Sequence, residues 1–473
     1  MYCHGASVRY MEALHHSLRS ISTLSEQYRL CIGTVSAWLR GFIVLARACS
    51  IPISFGYLLW CSHRNSCLRV DELESRNLQA FRADTREWLD VNCPASMRVR
   101  MVEGEEVNGG NKRHSTNPDA HLWLAAMAEK GWTVPTWPVE YGGADLSKEE
   151  FVVLIDELQR INARPPLGGM GVSMIGPTLL EYGSDEQKRQ HLPAIARGEL
   201  AWCQGYSEPG AGSDLASLQT FAEDKGDYFS VNGAKIWTSG AHYADWMFCL
   251  VRTNKEAPKH EGISFVLFSM DSPGVTTKPI ELLNGKSPFC QTFLDDVCVP
   301  KDNLVGKLNQ GWTVGKRLLQ HERSGLAALA SADKIGPMER IKPALTLSDL
   351  ARKYAADQNT IEPSLRKDLI ENEILKKSFF LTQQRAMEET ASSAPGAATS
   401  IFKYVEANYV KEQLELQLRI RGTQGLGWTG VSFDDEEISM CRLWLEAKSI
   451  SIAGGSNEIQ LNIIAKRVLG LPD

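Results

Sequence analysis

Hydrophobic and polar positions divide the chain into three successive blocks. From about residue 71 to residue 197, apolar residues recur at the spacing of amphipathic helices. From about residue 201 to residue 308, short runs rich in aromatic and branched residues are typical of strands, and the clearest are residues 246–251 and 263–269. Helical spacing returns after Gly311. The pattern therefore predicts helices, then strands, then helices.

This order of elements predicts an α+β fold with three domains. We expect an N-terminal helical domain over residues 71–200, a central β-barrel-like domain over residues 201–308, and a C-terminal domain resembling a four-helix bundle over residues 309–473. A length of 473 residues suits about three domains. A polar-rich stretch at about residues 342–372 has the composition of an insertion in the last domain.

An Asn-Gly pair, Asn232-Gly233, lies between two short runs of strand-forming residues, 228–231 and 234–237. Asn-Gly is favoured in type I′ turns, because both central positions of such a turn need a positive φ. The segment therefore predicts two short strands joined in a β-hairpin.

Residues 1–70 differ in composition from the rest of the chain. They hold seven arginines, no lysine and two acidic residues, a formal charge of +5, while the remaining 44 basic and 55 acidic residues give −11. Three explanations stay open for this unassigned extension: a targeting segment, a membrane-associated segment at residues 41–61, and a spurious upstream extension. Arg47 and Pro52 interrupt the apolar run, which argues against a transmembrane helix.

The overall charge and the cysteines exclude several classes of protein. A formal net charge of −6 gives no reason to expect a nucleic-acid partner. The cysteines after residue 70 stand singly, so neither a zinc site nor a disulfide framework is indicated, and no metal site is expected. We expect an intracellular protein, cytoplasmic if bacterial, with the mitochondrial matrix as the alternative. The Gly-x-Gly-x-x-Gly, phosphate-loop and His-Glu-x-x-His motifs are missing.

A glycine-rich motif opens the β block at residues 206–214. Its two glycines allow tight turns that present backbone N–H groups to an anionic or carbonyl-bearing ligand, and Ser207 and Ser213 add hydroxyl groups. For this motif taken alone, an ordinary Gly/Pro turn is the favoured explanation.

A second motif, Trp237-Thr238-Ser239, places an indole beside two hydroxyl groups at the end of a predicted strand. An indole can stack on a flat heteroaromatic ring, and a hydroxyl can bond the edge of that ring, as a flavin requires. The alternative is a half-buried strand tryptophan with no ligand.

A third candidate is Glu322, on the predicted helix after Gly311. Positions 315, 318, 319, 322, 326 and 329 share one helical face, and all of them except Glu322 are apolar residues or glycine. A carboxylate in an apolar environment has a raised pKa and becomes a usable base near neutral pH. A structural ion pair, with Arg323 or another cation, remains the alternative.

The fourth motif lies near the C-terminus, where Gly454 and Gly455 precede Ser456. Serine is a favoured N-cap, so a helix is expected to begin here and to stop before Gly470. A glycine-led helix N-terminus can bind an anion, although such a motif is often only a capped helix.

Taken together and in this order, the motifs resemble those of the acyl-CoA dehydrogenase family. The resemblance covers residues 71–473 and rests on Ser-Glu-Pro-Gly-Ala-Gly-Ser-Asp, Ile-Trp-Thr-Ser, Gln-Gly-Leu-Gly and Gly-Gly-Ser-Asn-Glu-Ile-Gln. It implies α,β-dehydrogenation of an acyl-CoA, FAD as the cofactor, an electron-transfer flavoprotein as the electron acceptor, and a homodimer or homotetramer. The chain is also similar to bacterial pimeloyl-CoA-type dehydrogenases.

The resemblance assigns a role to each candidate residue. Glu322 falls where the isovaleryl and long-chain branches carry the base that removes the α-proton, with Arg323 beside it. The β-hydrogen would leave as a hydride to flavin N5. The residues implied to bind the flavin are Gln204, Tyr206, Ser207, Ser213, Trp237, Thr238, Ser239, Gln424, Gly427, Ser456 and Glu458.

The chain departs from the family pattern at two places. Many members carry the base where this chain has Gly454, which has no side chain. The arginine that usually meets the FAD pyrophosphate is not recognisable between residues 326 and 400, and Arg352 and Arg366 are candidate replacements. Two other functions therefore stay open: a flavin-dependent monooxygenase or oxidase, and a non-catalytic subunit that completes a paralogue's flavin site.

Overall fold

The structure is a computed structural model that divides the chain into two units, Met1–Gln79 and Ala80–Asp473. The described residues are 76–99, 101, 104–331, 346–355, 362–390 and 398–472. Residues 76–79 of the first unit are helical. The unassigned extension, residues 1–70, and the apolar run at 41–61 lie outside the described residues. Everything below concerns the second unit.

The N-terminal region of this unit is helical. Its helices are α1 (residues 80–92), α2 (Pro118–Glu129), α3 (Lys148–Arg160), α4 (Gly176–Tyr182) and α5 (Asp185–Ala196). A π-helical turn, Gly171–Ile175, leads into α4. Capping boxes start α3 at Ser147 and α5 at Ser184, where each serine oxygen accepts from the backbone N–H three residues later.

Seven strands form one curled sheet in the centre of the described chain. They are β1 (Trp202–Gly205), β2 (Phe221–Asp224), β3 (Tyr228–Ser239), β4 (Trp246–Arg252), β5 (Ile263–Ser269), β6 (Val275–Ile280) and β7 (Phe289–Pro300). The main path runs β1-β4-β2-β3-β7-β6, and β5 pairs with the other edge of β4. Strand β1 is parallel to β4, whereas β3, β6 and β7 are antiparallel neighbours.

The hairpin prediction at Asn232-Gly233 is wrong. Residues 228–239 form the single strand β3, which pairs with β7 along its length and shifts register between Val231 and Gly233. The Asn232 side chain accepts from the Asp296 backbone N–H at 2.9 Å and donates to the Asp296 carboxylate at 2.9 Å. Asn232 alone lies opposite two residues of β7, Asp295 and Asp296, so the β-bulge is in β7 and β3 continues through the Asn-Gly pair.

The C-terminal region returns to helices. They are α6 (Gly311–Ser331), α7 (Leu347–Ala355), α8 (Pro363–Thr390), α9 (Ala398–Arg421), α10 (Asp435–Glu446) and α11 (Asn457–Ile463). Much of the polar stretch expected to be an insertion is thus helical, in α7 and the start of α8. None of the described helices is both long and apolar enough to cross a membrane.

Two apolar clusters place the sheet against its neighbours. One joins Trp137, Ile175 and Leu192 of the helical region to Phe248 of the sheet and Leu318 of α6. The other fills the opposite side of the sheet with β-strand side chains such as those of Val231, Phe268 and Val297. The predicted α+β class, with helices before and after a curled sheet, is confirmed.

Candidate active site

The glycine-rich segment 206–214 is a loop that follows β1. Glu208 and Ala211 exchange backbone hydrogen bonds of 2.9 and 3.0 Å, which closes a tight turn around Pro209 and Gly210. An added Cβ at Gly210 or at Gly212 would meet nothing within 4 Å. The loop therefore presents an open backbone surface, on which Ser213 is also exposed.

A buried ion pair lies beneath this loop, and the sequence reasoning missed it. The Lys235 side chain is fully buried, and its Nζ lies 2.8 Å from Oε1 of Glu208, whose side chain is 8% exposed. Burial raises the pKa of the Glu208 carboxyl, but Lys235 and the hydrogen bonds to the carboxylate outweigh burial, so the pKa is lowered overall. Lysine side chains are usually exposed to solvent, and nothing in the sequence indicates that the side chain of Lys235 is buried.

Trp237 has a strained backbone on the same strand. Its φ is +59°, and a register shift between Lys235 and Thr238 marks a second bulge. The indole is 53% exposed and meets Phe289 edge-on, with ring centroids 6.1 Å apart. A bulky residue with positive φ is uncommon and clusters at functional sites, so the bulge directs a large aromatic surface outwards.

The two neighbours of Trp237 in its motif differ in exposure. Ser239 is partly exposed, whereas Thr238 is fully buried, and its hydroxyl has no hydrogen-bond partner among the described residues. Of the two hydroxyls in the motif, that of Ser239 is therefore the one accessible from the open side of the strand.

Two hydrogen bonds bring three of the four motifs together. The Ile236 backbone N–H donates to the Ser207 carbonyl at 2.9 Å, which joins the loop to the strand just before Trp237. The Tyr206 hydroxyl donates to the Gly315 carbonyl at 3.5 Å, which joins the same loop to α6. The loop therefore lies between the exposed indole and the helix that contains Glu322.

Helix α6 presents a buried face to the loop and the sheet. Val314, Gly315 and Leu318 are buried, and Glu322 lies two helical turns after Gly315, at the spacing that shares this face. The side chains of Glu322 and Arg323 lie outside the described residues.

Helix α6 is also bonded to α4 by charged side chains. Arg317 donates to both carboxylate oxygens of Glu181, and Nε2 of His321 lies 3.0 Å from the same group. The hydrogen bond from Arg317 lowers the pKa of the Glu181 carboxyl despite burial. These contacts attach the start of the Glu322-bearing helix to the N-terminal region.

Gln204 adds an unsatisfied donor at the base of the loop. Its Nε2 is buried and has no hydrogen-bond partner among the described residues. A buried amide without a partner costs free energy, so such a group points to a ligand or a water molecule. Together with the open glycines and the exposed indole, this donor fits a flat cofactor with hydrogen-bonding edges.

The remaining predicted residues lie in the C-terminal region. Gln424 bonds Glu437 there at 3.2 Å, and Gly427 packs so closely on Phe433 that a Cβ would lie 2.8 Å from its ring. Ser456 caps α11 as predicted, accepting from the Ile459 N–H. Glu458 is exposed in the first turn, where its own backbone N–H and the Ser456 hydroxyl lower the pKa of its carboxyl.

The two candidate replacements for the pyrophosphate arginine are both on the surface. The Arg352 side chain is 77% exposed and pairs with Asp349 on α7, and Arg366 is exposed on α8. A third arginine, Arg421, is buried and donates to Glu436 at 2.8 Å, so its charge is already neutralised.

Comparison with known proteins gives matches along the whole described unit. Three family models match in order: acyl-CoA dehydrogenase, N-terminal domain, over residues 77–199; its middle domain over residues 203–297; and its C-terminal domain over residues 309–469. The sequence is 36% identical to acyl-CoA dehydrogenase IpdE1 of Mycolicibacterium smegmatis over 410 residues, which covers 84% of this chain and 98% of that protein.

Solved structures are similar over the same extent. A structure described as the Tcur3481-Tcur3483 steroid ACAD has a TM-score of 0.65 and 31% identity, covering 84% of this chain and 98% of that one. The ChsE4-ChsE5 complex from Mycobacterium tuberculosis has a TM-score of 0.61 and 27% identity, with the same two coverages.

Proposed function

Because the chain belongs to the acyl-CoA dehydrogenase family, whose members are oxidoreductases acting on CH–CH groups, we propose that it is an FAD-dependent enzyme that desaturates an acyl-CoA between its α and β carbons. The observation that carries the proposal is the hydrogen bond between Tyr206 and Gly315. It brings the open loop against the helix in which Glu322 lies, so a thioester held on the loop would be within reach of that helix.

The chain's own groups fit FAD. The Trp237 indole offers a face for the ring system, Ser239 and the Gln204 amide offer hydrogen bonds to its edges, and the open glycines of the loop offer backbone donors. Tyr206, Ser207 and Ser213 would complete this side of the site. Thr238 is buried and would contribute through its backbone. When bound, FAD supplies the acceptor for the β-hydrogen, which leaves as a hydride.

Glu322 is the proposed base for the α-proton. Its position shares a helical face with Gly315 and Leu318, which are both buried, and Gly315 bonds Tyr206 of the loop from this helix. Arg323, the next residue in the chain, is proposed to lie beside Glu322 in the site. Gly454 has a φ of +67° and no side chain, so it cannot serve as the base.

A multi-subunit assembly completes the proposed site. Gln424 and Gly427, at the end of α9, would reach the adenine end of the FAD of a neighbouring subunit, and Ser456 and Glu458 would close over the dinucleotide. Two similar structures support an assembly of this kind: one is described as the ChsE4-ChsE5 complex, and the other has a description that joins two names, Tcur3481-Tcur3483. The steroid description of the latter favours a ring-bearing acyl group as the substrate.

The test is anaerobic reduction of the purified protein's flavin by a panel of CoA thioesters. We expect a yellow protein whose flavin absorbance is bleached by at least one thioester, ring-bearing acyl groups acting best, with electrons passing to an electron-transfer flavoprotein. Stoichiometric oxygen consumption without that acceptor would instead indicate an oxidase or monooxygenase. A colourless protein that becomes active only with a paralogue would indicate a non-catalytic subunit.

A further inference from the structure

We propose that the buried ion pair between Lys235 and Glu208 is a positioning device, which holds the glycine-rich loop and the Trp237 bulge in the arrangement that FAD requires. The inference rests on the proposed function, because it concerns how tightly FAD is held. Neither residue is offered as a catalytic residue.

Lys235 uses its ammonium group to connect three segments. Its Nζ donates to the Tyr206 carbonyl at 3.2 Å, to the Leu250 carbonyl at 2.8 Å and to Glu208 Oε1 at 2.8 Å. An ammonium group has three N–H donors, so every one of them has a partner. The side chain therefore joins strand β3 to both β4 and the loop.

Glu208 continues the connection on the other side of the loop. Its Oε1 also accepts from the Thr220 backbone N–H at 2.9 Å, and its Oε2 accepts from the Gln219 N–H at 2.6 Å. The carboxylate thus attaches the turn of the loop to the residues that lead into β2. Three hydrogen bonds to one nearly buried carboxylate leave it little freedom to move.

The location of the ion pair indicates that it fixes the backbone arrangement around Trp237 rather than only adding stability. Replacing a buried ion pair by uncharged groups of similar size is often neutral for stability, so a pair with this many bonds is better explained by the geometry it selects. Trp237 follows Lys235 by two residues and has a strained φ of +59°, which persists only where surrounding contacts determine the backbone. Ile236, between Lys235 and Trp237, donates its backbone N–H to the Ser207 carbonyl and so connects this part of β3 to the loop.

The experiment compares Lys235→Met with the double variant Lys235→Met/Glu208→Gln. The single variant leaves a buried carboxylate without its cation, so the melting temperature of its apoprotein should fall by roughly 5–10 °C. The double variant has no unpaired charge and should recover most of that loss. Its dissociation constant for FAD should nevertheless stay raised by about tenfold or more, and the visible circular dichroism of the bound flavin should differ from wild type.

A matched control uses another buried ion pair. Arg164 is 7% exposed and bonds Glu105 at 2.6 Å, and both residues belong to the N-terminal helical region. Arg164→Met should lower the apoprotein melting temperature while changing the FAD dissociation constant by less than about twofold, because distant sites act independently.

The outcomes separate this inference from the proposed function. If the wild type binds FAD and the double variant binds it equally tightly with the same flavin spectrum, the pair does not position the site and the inference is overturned. If the wild type binds no FAD at all, the proposed function fails first and takes the inference with it. A raised dissociation constant in the double variant, with the Arg164 control unchanged, supports the inference.

Discussion

His191 is predicted to make the stability of the protein depend on pH in the mildly acidic range. Its imidazole on α5 is 1% exposed and packs edge-on against two indoles, with ring centroids 5.1 Å from Trp202 and 4.7 Å from Trp246. Neither ring nitrogen has a hydrogen-bond partner among the described residues. Burial alone lowers the pKa of His191 from its ordinary value to about 4, because the charged form would lose its hydration.

The sign and size of the effect follow from linkage. The unfolded chain binds a proton at His191 near pH 6.5 and the folded chain only near pH 4, so stability is complete above about pH 6.5 and falls as the pH drops towards about 4. Between about pH 7.5 and about pH 5, this single group should remove about 2 kcal/mol from the free energy of unfolding.

Urea unfolding of wild type and His191→Phe at those two pH values measures this contribution. Phenylalanine is close in size and does not titrate, so the variant should lose about 2 kcal/mol less than wild type on acidification. His121, which is exposed on α2, gives the control variant His121→Gln, whose pH dependence should match wild type. An unchanged pH dependence in His191→Phe would refute the assignment of a neutral, desolvated imidazole.

Three further predictions concern the site and the helical region. In Gly315→Ala, the new Cβ would lie 3.2 Å from the Tyr206 hydroxyl. The crowding should cost about 1–3 kcal/mol and outweigh the gain in helix propensity of about 1 kcal/mol, so the melting temperature should fall. A higher melting temperature than wild type would contradict this prediction. Trp237→Gly relieves a positive φ worth about 1 kcal/mol, so the apoprotein should be as stable as wild type while FAD binds about tenfold or more weakly in a fluorescence titration. The pKa of Glu157 is lowered to about 2, mainly by the hydrogen bond from Arg86, although burial opposes this shift. Thermal melts of the wild type should therefore show stability falling as the pH drops from about 4.3 towards about 2. Glu157→Gln should lack that loss of stability.

Periodicity and local chemistry were sufficient to predict most of the fold. Residues 246–251 and 263–269 lie within β4 and β5, because their branched and aromatic side chains are buried on both sides of the sheet. Ser456 begins α11 as its N-cap chemistry requires. Such features depend on residues close together in the chain, and the sequence displays them directly.

Long-range pairing explains what the sequence did not reveal. The Asn232-Gly233 pair has the chemistry of a turn, but it continues strand β3 because it lies opposite a bulge of β7 and bonds Asp296 there. Lys235 becomes an inward residue because Glu208, 27 positions earlier, lies beside it. The positive φ of Trp237 likewise depends on neighbours in space. The role of Glu322 remains a proposal that helical spacing and family resemblance support.

The α-proton base is the central claim, and the turnover of Glu322→Gln tests it most directly. The variant should keep its bound flavin and its affinity for acyl-CoA but lose about 10³-fold in the rate of flavin reduction, a size typical of removing a positioned base. Lys316→Gln, at an exposed position of the same helix, should reduce its flavin at the wild-type rate. A Glu322→Gln enzyme that reduces its flavin as fast as wild type would contradict the account.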